Sequence, residues 1–401
     1  MDYKTASLKL HEMLRGKVEM RARTDIRSKE DLATVYSPGV SEPCLAIQKQ
    51  PHLSYVYTRR HNTVAVISDG SAVLGLGDIG PEASMPVMEG KAVLFKQLGG
   101  VDAIPLCLKT QDVDEIVMII HALSGSFGGI NLEDIAAPRC FEIERRLKEL
   151  CDIPIFHDDQ HGTAIVVLAA LINALKVVKK DVGAIKVVIN GIGAAGSAIA
   201  EFLLDYGVRD LLLCDRYGLL SRDDATLSPA HRQLAEKTNP NCLKGSLSTA
   251  VRDADVFIGV SVPDCLHAED IKNMADNPIV LPLANPRPEI AYETAQEAGA
   301  KVIGTGLSNY PNQINNLLAF PGVFRGALDA QAQDITRPMM IAAAEAIASC
   351  VADHQLSVDH IIPSPLDPVV HQKVAAAVKA AVRQHGVAIH GALARYLGQT
   401  P

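Results

Sequence analysis

Along the chain, short continuous apolar runs alternate with longer segments in which apolar residues recur every three or four positions. The first pattern marks strands buried on both faces, and the second marks helices that cover them. Thr63-Val64-Ala65-Val66-Ile67-Ser68 predicts a buried strand, followed by a loop carrying Gly70, Gly75, Gly77 and Gly80. Residues 85–98 predict a helix stopped by Gly99-Gly100. Residues 103–108 predict a second strand, and residues 112–123 and 141–150 two further helices, with Asn131-Leu132-Glu133-Asp134 on a loop or short strand between them. Ile153-Pro154-Ile155-Phe156 predicts a short strand leading into Asp158-Asp159.

The texture changes at Thr163. Residues 163–180 predict a long helix, 185–189 a strand, 197–206 a helix and 210–215 the next strand; strands follow at 256–260, 279–284 and 301–305. Such alternation predicts an α/β fold with a parallel sheet covered on both faces. An Ala-rich helical tail spans 338–397, interrupted by Pro363, Pro365 and Pro368. These patterns place a boundary near Gly162, giving domains 1–162 and 163–401, with the tail packing back.

Composition narrows the class. The chain has 401 residues, 48% hydrophobic and 21% charged, with 4% aromatics and no Trp, so its cores are expected to be aliphatic. A net charge of −8 and the lack of a dense Lys/Arg run argue against a nucleic-acid partner. Eight scattered cysteines without a C-x-x-C spacing suggest reduced thiols and a cytoplasmic protein. The apolar run at 164–175, interrupted by Asn173, is too short to span a bilayer, so no membrane is expected.

Gly191-Ile192-Gly193-Ala194-Ala195-Gly196 follows an aliphatic strand and precedes a helix, the context that makes G-x-G-x-x-G a dinucleotide fingerprint. Gly191 allows the tight turn, Gly193 backbone approach to a pyrophosphate, and Gly196 close helix–strand packing. Asp215 ends the next strand 19 residues past Gly196, where a ribose-binding acid is expected. Its charge favours NAD, whereas the adjacent Arg216 would suit the extra phosphate of NADP.

Two adjacent acid pairs, Glu133-Asp134 and Asp158-Asp159, lie upstream. Neighbours on a strand point to opposite faces, so both members serve one ion only from a loop or strand end. Three carboxylates suit Mg²⁺ or Mn²⁺ in oxygen coordination, while the alternative is a solvated loop or helix cap. His157 and His161 imitate a zinc spacing, but the helix is expected to begin after the second histidine, and no third ligand is evident. Lys91 falls on the stripe of Val87, Met88, Leu94, Phe95 and Leu98. It is either a desolvated base of lowered pKa or a snorkelling stem. Tyr36 sits in the turn Tyr36-Ser37-Pro38-Gly39-Val40, a position most simply used for packing.

Together these residues resemble the malic enzymes, in particular the small bacterial type. The resemblance rests on Tyr36-Ser37-Pro38-Gly39-Val40, Gly75-Leu76-Gly77-Asp78-Ile79-Gly80, Glu89-Gly90-Lys91-Ala92, Leu132-Glu133-Asp134, Asp158-Asp159-Gln160-His161-Gly162-Thr163, the glycine fingerprint, Leu283-Ala284-Asn285-Pro286, Asn315-Asn316 and Phe320-Pro321-Gly322-Val323. It implies oxidative decarboxylation of L-malate to pyruvate and CO₂ with reduction of NAD(P)⁺, a homodimer, and roles for individual residues. Lys91 would be the base, Tyr36 the acid, and Asp158 the residue that orients the lysine. Glu133, Asp134 and Asp159 would hold the cation, and Asn285 and Asn316 would bind substrate and cofactor.

One departure stands out. Where larger members carry an arginine for the substrate carboxylate, this chain has Ser71-Ala72, so backbone N–H groups of residues 37–40 with Asn285 and Asn316 are expected to replace it. The competing functions are a malolactic enzyme, which converts malate to lactate, and a nucleotide-sensing protein without chemistry.

Overall fold

The computed structural model describes residues 2–224, 227 and 229–387, so the expected tail helix beyond 387 lies outside the described residues. The first sheet is four-stranded and wholly parallel, with order β2-β1-β3-β4: β1 (Thr63–Ser68), β2 (Asp102–Cys107), β3 (Gly129–Leu132) and β4 (Ile155–His157). The second sheet has order β10-β9-β8-β5-β6-β7, formed by β5 (Lys186–Asn190), β6 (Asp210–Asp215), β7 (Gly218–Leu219), β8 (Val256–Gly259), β9 (Ile279–Pro282) and β10 (Val302–Ile303). All its pairings are parallel except the β6–β7 hairpin. Chain order reverses on either side of β5, which opens a crevice at the carboxyl ends of β5 and β8, the usual place for a ligand in such sheets.

Three local results differ from the sequence expectation. The helix expected from residue 85 spans Gly80–Gly99, with Pro81 in its first turn and Pro86 inside it. Proline tolerates a first turn because its missing N–H has no partner there, so Pro81 lets the helix start directly after the glycine-rich loop. Val87, placed on the buried stripe, is exposed, and the buried face is Ser84, Met88, Lys91, Ala92 and Phe95. The third difference is at the acid pair. The α-helix begins at Thr163 as expected, but Asp158–Gly162 ahead of it already form a wide turn continuous with it. The combined 21-residue helix is long and apolar enough to cross a membrane by length and composition, but 67% of its apolar window is buried inside the protein.

The tail packs back as expected. Helices Phe320–Ala330, Arg337–Ala348 and Pro368–Gln384 share one apolar cluster with both sheets, from Val64 and Val66 to Ile189 and Ile258. Asn173, which interrupts the apolar run, donates its amide to the carbonyls of Ala348 and Ile361 at 2.9 Å and so pins the tail. The core is mainly aliphatic, with Phe202 and Phe257 buried singly; Phe95, Phe156, Phe320 and Phe324, half the chain's eight phenylalanines, gather with ring centres within 5.7 Å of a neighbour. All eight cysteines are free.

Candidate active site

The phenylalanine cluster forms a floor beneath Lys91, whose Nζ lies 4.3 Å from the Phe320 ring centre. Lys91 is 8% exposed and is no snorkelling side chain. Its ammonium meets Asp158 Oδ2 at 2.6 Å and Glu133 Oε1 at 2.8 Å. Burial pushes its pKa down, but the charges and hydrogen bonds of Asp158 and Glu133 outweigh burial and raise it. The expected lowered pKa is therefore corrected: desolvation was legible in the sequence, Asp158 beside the lysine came only from the resemblance, and Glu133 was expected as a cation ligand alone.

Glu133-Asp134 leave the carboxyl end of β3, and Asp158-Asp159 leave the adjacent β4. Both pairs thus sit at strand ends, where neighbouring side chains are free to converge. Asp134 adopts φ of 54°, and its N–H donates to Asp159 Oδ2 at 2.8 Å. Oxygens of Glu133, Asp134 and Asp159 lie within 4.8 Å of one another, and among the described residues this is the only such group of potential metal ligands. His157 and His161 join no metal group, which removes the zinc reading; His161 instead meets Glu144 at 2.7 Å.

The cluster is costly without a positive partner. Burial first, then the neighbouring acids, push Asp134 up to about 9. Burial likewise raises Glu133 to about 7 against the pull of Lys91, and raises Asp159 to about 6. Asp134 Oδ2 is buried without a partner. Hard carboxylate oxygens, crowded and in part orphaned, fit a divalent cation such as Mg²⁺ or Mn²⁺.

Asn316, at the start of a short helical turn after β10, donates its amide to Asp158 Oδ2 at 2.6 Å. A Cβ at Gly162 would lie 1.9 Å from Asp158 Oδ1, so only glycine fits behind the aspartate. Asn285 lies on the loop after β9, where the adjoining Pro286 faces Gly75 of the first domain's glycine-rich loop. No hydrogen bond joins Asn285 to the lysine cluster among those between described residues.

Tyr36 is not brought to this cluster. It ends the Lys29–Val35 helix, is 69% exposed, and has neither hydrogen bond nor ring contact with Lys91 or the acids. The expected backbone cradle beside it is reduced. Gly39 N–H donates to Ala33, Val40 N–H to Tyr36, and Pro38 has no N–H, so of residues 37–40 only Ser37 could offer its N–H.

At the second sheet, Gly191 has φ of 104°, and a Cβ at Gly196 would lie 1.7 Å from the Gly191 carbonyl. Gly193 faces open space, and Ala194 and Ala195 begin the Ala194–Tyr206 helix, whose free N–H groups suit a phosphate. Asp215 Oδ1 accepts from the Tyr217 N–H at 2.7 Å, and the Arg216 guanidinium stacks on Tyr217.

Two buried carboxylates were missed by sequence reasoning. Glu289 accepts from Ser261 N–H at 2.8 Å and from Ala284 N–H at 3.1 Å, tying together the loops after β8 and β9. Glu144 holds His161 and Gln160. Both are single glutamates in ordinary helix or loop contexts, but Glu144 shares its helix's buried stripe with Cys140, Ile143 and Leu147, the same anomaly that singled out Lys91.

This pairing of a lysine–acid cluster with a dinucleotide crevice has close counterparts. Residues 15–148 match the malic enzyme N-terminal domain and residues 160–386 the malic enzyme NAD binding domain. An NAD-dependent malic enzyme of Geobacillus stearothermophilus is 55% identical over 93% of this chain and 78% of its own length. A bifunctional malic/malolactic enzyme of Bacillus subtilis is 53% identical over 97% and 95%. The crystal structure of an NAD-dependent malic enzyme from Thermotoga maritima superposes with a TM-score of 0.90 at 49% identity, covering 93% of this chain and 98% of that one. With both domains matched in order around the same crevice, the chain belongs to the malic enzyme family.

Proposed function

We propose that the chain catalyses the oxidative decarboxylation of L-malate to pyruvate and CO₂ with reduction of NAD(P)⁺, dependent on Mg²⁺ or Mn²⁺. The observation that carries this reading is Lys91, buried between Asp158 and Glu133, with Glu133 also a member of the three-acid group. In this reading residues 1–162 supply most of the substrate and cation site and residues 163–401 the cofactor site.

When bound, the cation would supply Lewis acidity for decarboxylation and NAD(P)⁺ the hydride acceptor. Lys91 accepts the proton of the C2 hydroxyl as hydride leaves. It must first be neutral, and a cation held by Glu133 would withdraw one of the two charges that keep it protonated. Asp158, fixed by Asn316, holds Nζ in place during the transfer. Asn285 and Asn316 lie on the second-domain side of the crevice, where substrate and nicotinamide would meet. Asp215 favours NAD over NADP by repelling a 2′-phosphate.

Tyr36 is the proposed acid for the enol carbon, delivered by a second copy of the chain in a homodimer. Two facts support this. Tyr36 has neither hydrogen bond nor ring contact with the lysine cluster of its own chain, and residues 2–50 contain no buried residue despite exposing Leu8, Met13, Met20 and Ile26. So much unburied apolar surface marks an interface.

The test is turnover of malate with NAD⁺ and Mn²⁺, following NADH and CO₂ together, in wild type and Lys91→Ala. Equal release of both in wild type and loss of both in the variant are expected; undiminished turnover in Lys91→Ala would overturn the role of the lysine. The Bacillus subtilis relative's malolactic activity makes lactate the product to measure alongside: lactate without free NADH would favour that second reading.

A further inference from the structure

The two aspartates lie on an unusually wide turn. Between β4 and the Thr163–Val178 helix, the Thr163 N–H reaches back to the Asp158 carbonyl, closing a turn one residue wider than an α-helical one. Such wide turns are rare and recur at functional sites. The side chains at its start face the candidate site: Asp158 meets Lys91 and Asn316, and Asp159 accepts the Asp134 N–H. The next two residues both end on Glu144. His161 Nε2 lies 2.7 Å from Glu144 Oε1, and Gln160 Nε2 lies 3.2 Å from Oε2.

Glu144 comes from the Arg139–Leu150 helix, and its side chain is only 8% exposed. Burying a carboxylate is unfavourable unless it is paired and hydrogen-bonded. Here His161, Gln160 and the Lys148 ammonium at 3.6 Å surround it. On the opposite side the turn has no slack, since Asp158 Oδ1 packs directly against the Gly162 α-carbon.

We propose that Glu144 is a positioning residue whose two oxygens grip Gln160 and His161 and keep the turn wide, so that Asp158 faces Lys91 while Asp159 faces Glu133 and Asp134. Without that grip the turn relaxes toward regular helical spacing and swings both aspartates off their partners. The proposal rests on the reading of Glu133, Asp134 and Asp159 as a cation site.

The test is titration of Mn²⁺ alone into chelator-treated protein, read from the paramagnetic resonance of free Mn²⁺, with NAD⁺ affinity measured by calorimetry on the same samples. Glu144→Gln and His161→Gln should each weaken Mn²⁺ binding about tenfold, the size expected when a residue supporting a ligand is lost. The double variant should be no weaker than either single one, because both changes release the same grip, and NAD⁺ affinity should stay at the wild-type value. Asp159→Asn is the reference. If it abolishes Mn²⁺ binding while Glu144→Gln binds as wild type, the grip is refuted and the cation site stands. If Asp159→Asn binds Mn²⁺ as wild type, the cation site itself is refuted. A parallel fall in NAD⁺ affinity would show a global loss of structure and overturn the positioning role. Should Glu144→Gln not fold, His161→Gln decides the question from the other end of the same contact.

Discussion

Lys91 and Asn316 donate to the same oxygen of Asp158, each at 2.6 Å, although one comes from the first domain and the other from the loop beyond β10. Asp158 Oδ1 is left buried without a partner. Burial pushes Asp158 up to about 7, with the Lys91 charge opposing it. Asp158 therefore joins the two halves of the crevice through one atom, and what happens to its charge is passed directly to the lysine.

Asp158→Asn removes a negative charge that holds Lys91 protonated. The lysine pKa falls, so the acidic limb of the kcat profile, where the base becomes protonated, moves to lower pH. The rate at the optimum falls by about 10²–10⁴-fold because the base is misplaced. A pH–rate profile of the variant with saturating malate and Mn²⁺ checks both; an unshifted acidic limb would exclude Lys91 as the titrating base.

Metal-free protein should lose stability as the pH rises. Glu133 and Asp134 have ordinary values of 4.5 and 3.8 and are raised to about 7 and 9 in the fold, mainly by burial. Their protonated forms are thus favoured by folding, and that contribution, full below the ordinary values, is lost as pH climbs through 7 to 9. Mn²⁺ binding needs the deprotonated forms and so strengthens over the same interval while releasing protons. At a hundred times its Kd the ion stabilises by about 2.7 kcal/mol. Thermal unfolding across pH, with and without Mn²⁺, should show this trend in wild type and a weaker one in Asp134→Asn.

Glu289→Ala should raise the KM for NAD⁺ more than that for malate. Its carboxylate, fully buried, ties the loops after β8 and β9, and its removal leaves the Ser261 and Ala284 N–H groups unpaired. Each buried orphan costs about 1–3 kcal/mol, so a lower Tm accompanies the kinetic change. Equal KM values for wild type and variant would show that these loops do not set the cofactor site.

Asp215→Ser should shift preference toward NADP⁺, because Arg216 remains beside the ribose position without the opposing acid. Initial rates with NAD⁺ and NADP⁺ at fixed malate and Mn²⁺ measure the ratio. A ratio unchanged by the substitution would remove Asp215 from cofactor selection.

The strands were legible because parallel strands buried on both faces are continuous aliphatic runs, and β1 falls on Thr63–Ser68 as the pattern predicts. The fingerprint was legible for the same reason, since its flanking elements are unambiguous. What escaped the sequence depends on partners distant along the chain. The pKa direction of Lys91 is set by residues 42 and 67 positions away, and the turn at Asp158 is held wide by Glu144, packed against it from a different helix. The two-residue strand β7 carries too little pattern to be seen. Tyr36 was assigned to the site by resemblance, and its exposure shows why spacing could not do so: its place is on a surface.

The most direct measurement compares two half-reactions in Asp159→Asn. In the proposed reaction malate is oxidised to oxaloacetate, whose decarboxylation would need the carboxylates proposed to hold the cation, whereas malate oxidation would need Lys91 as well. Asp159→Asn should lose both activities, and Lys91→Ala should lose malate oxidation while retaining Mn²⁺-dependent decarboxylation of oxaloacetate. Decarboxylation at the wild-type rate in Asp159→Asn would contradict the account.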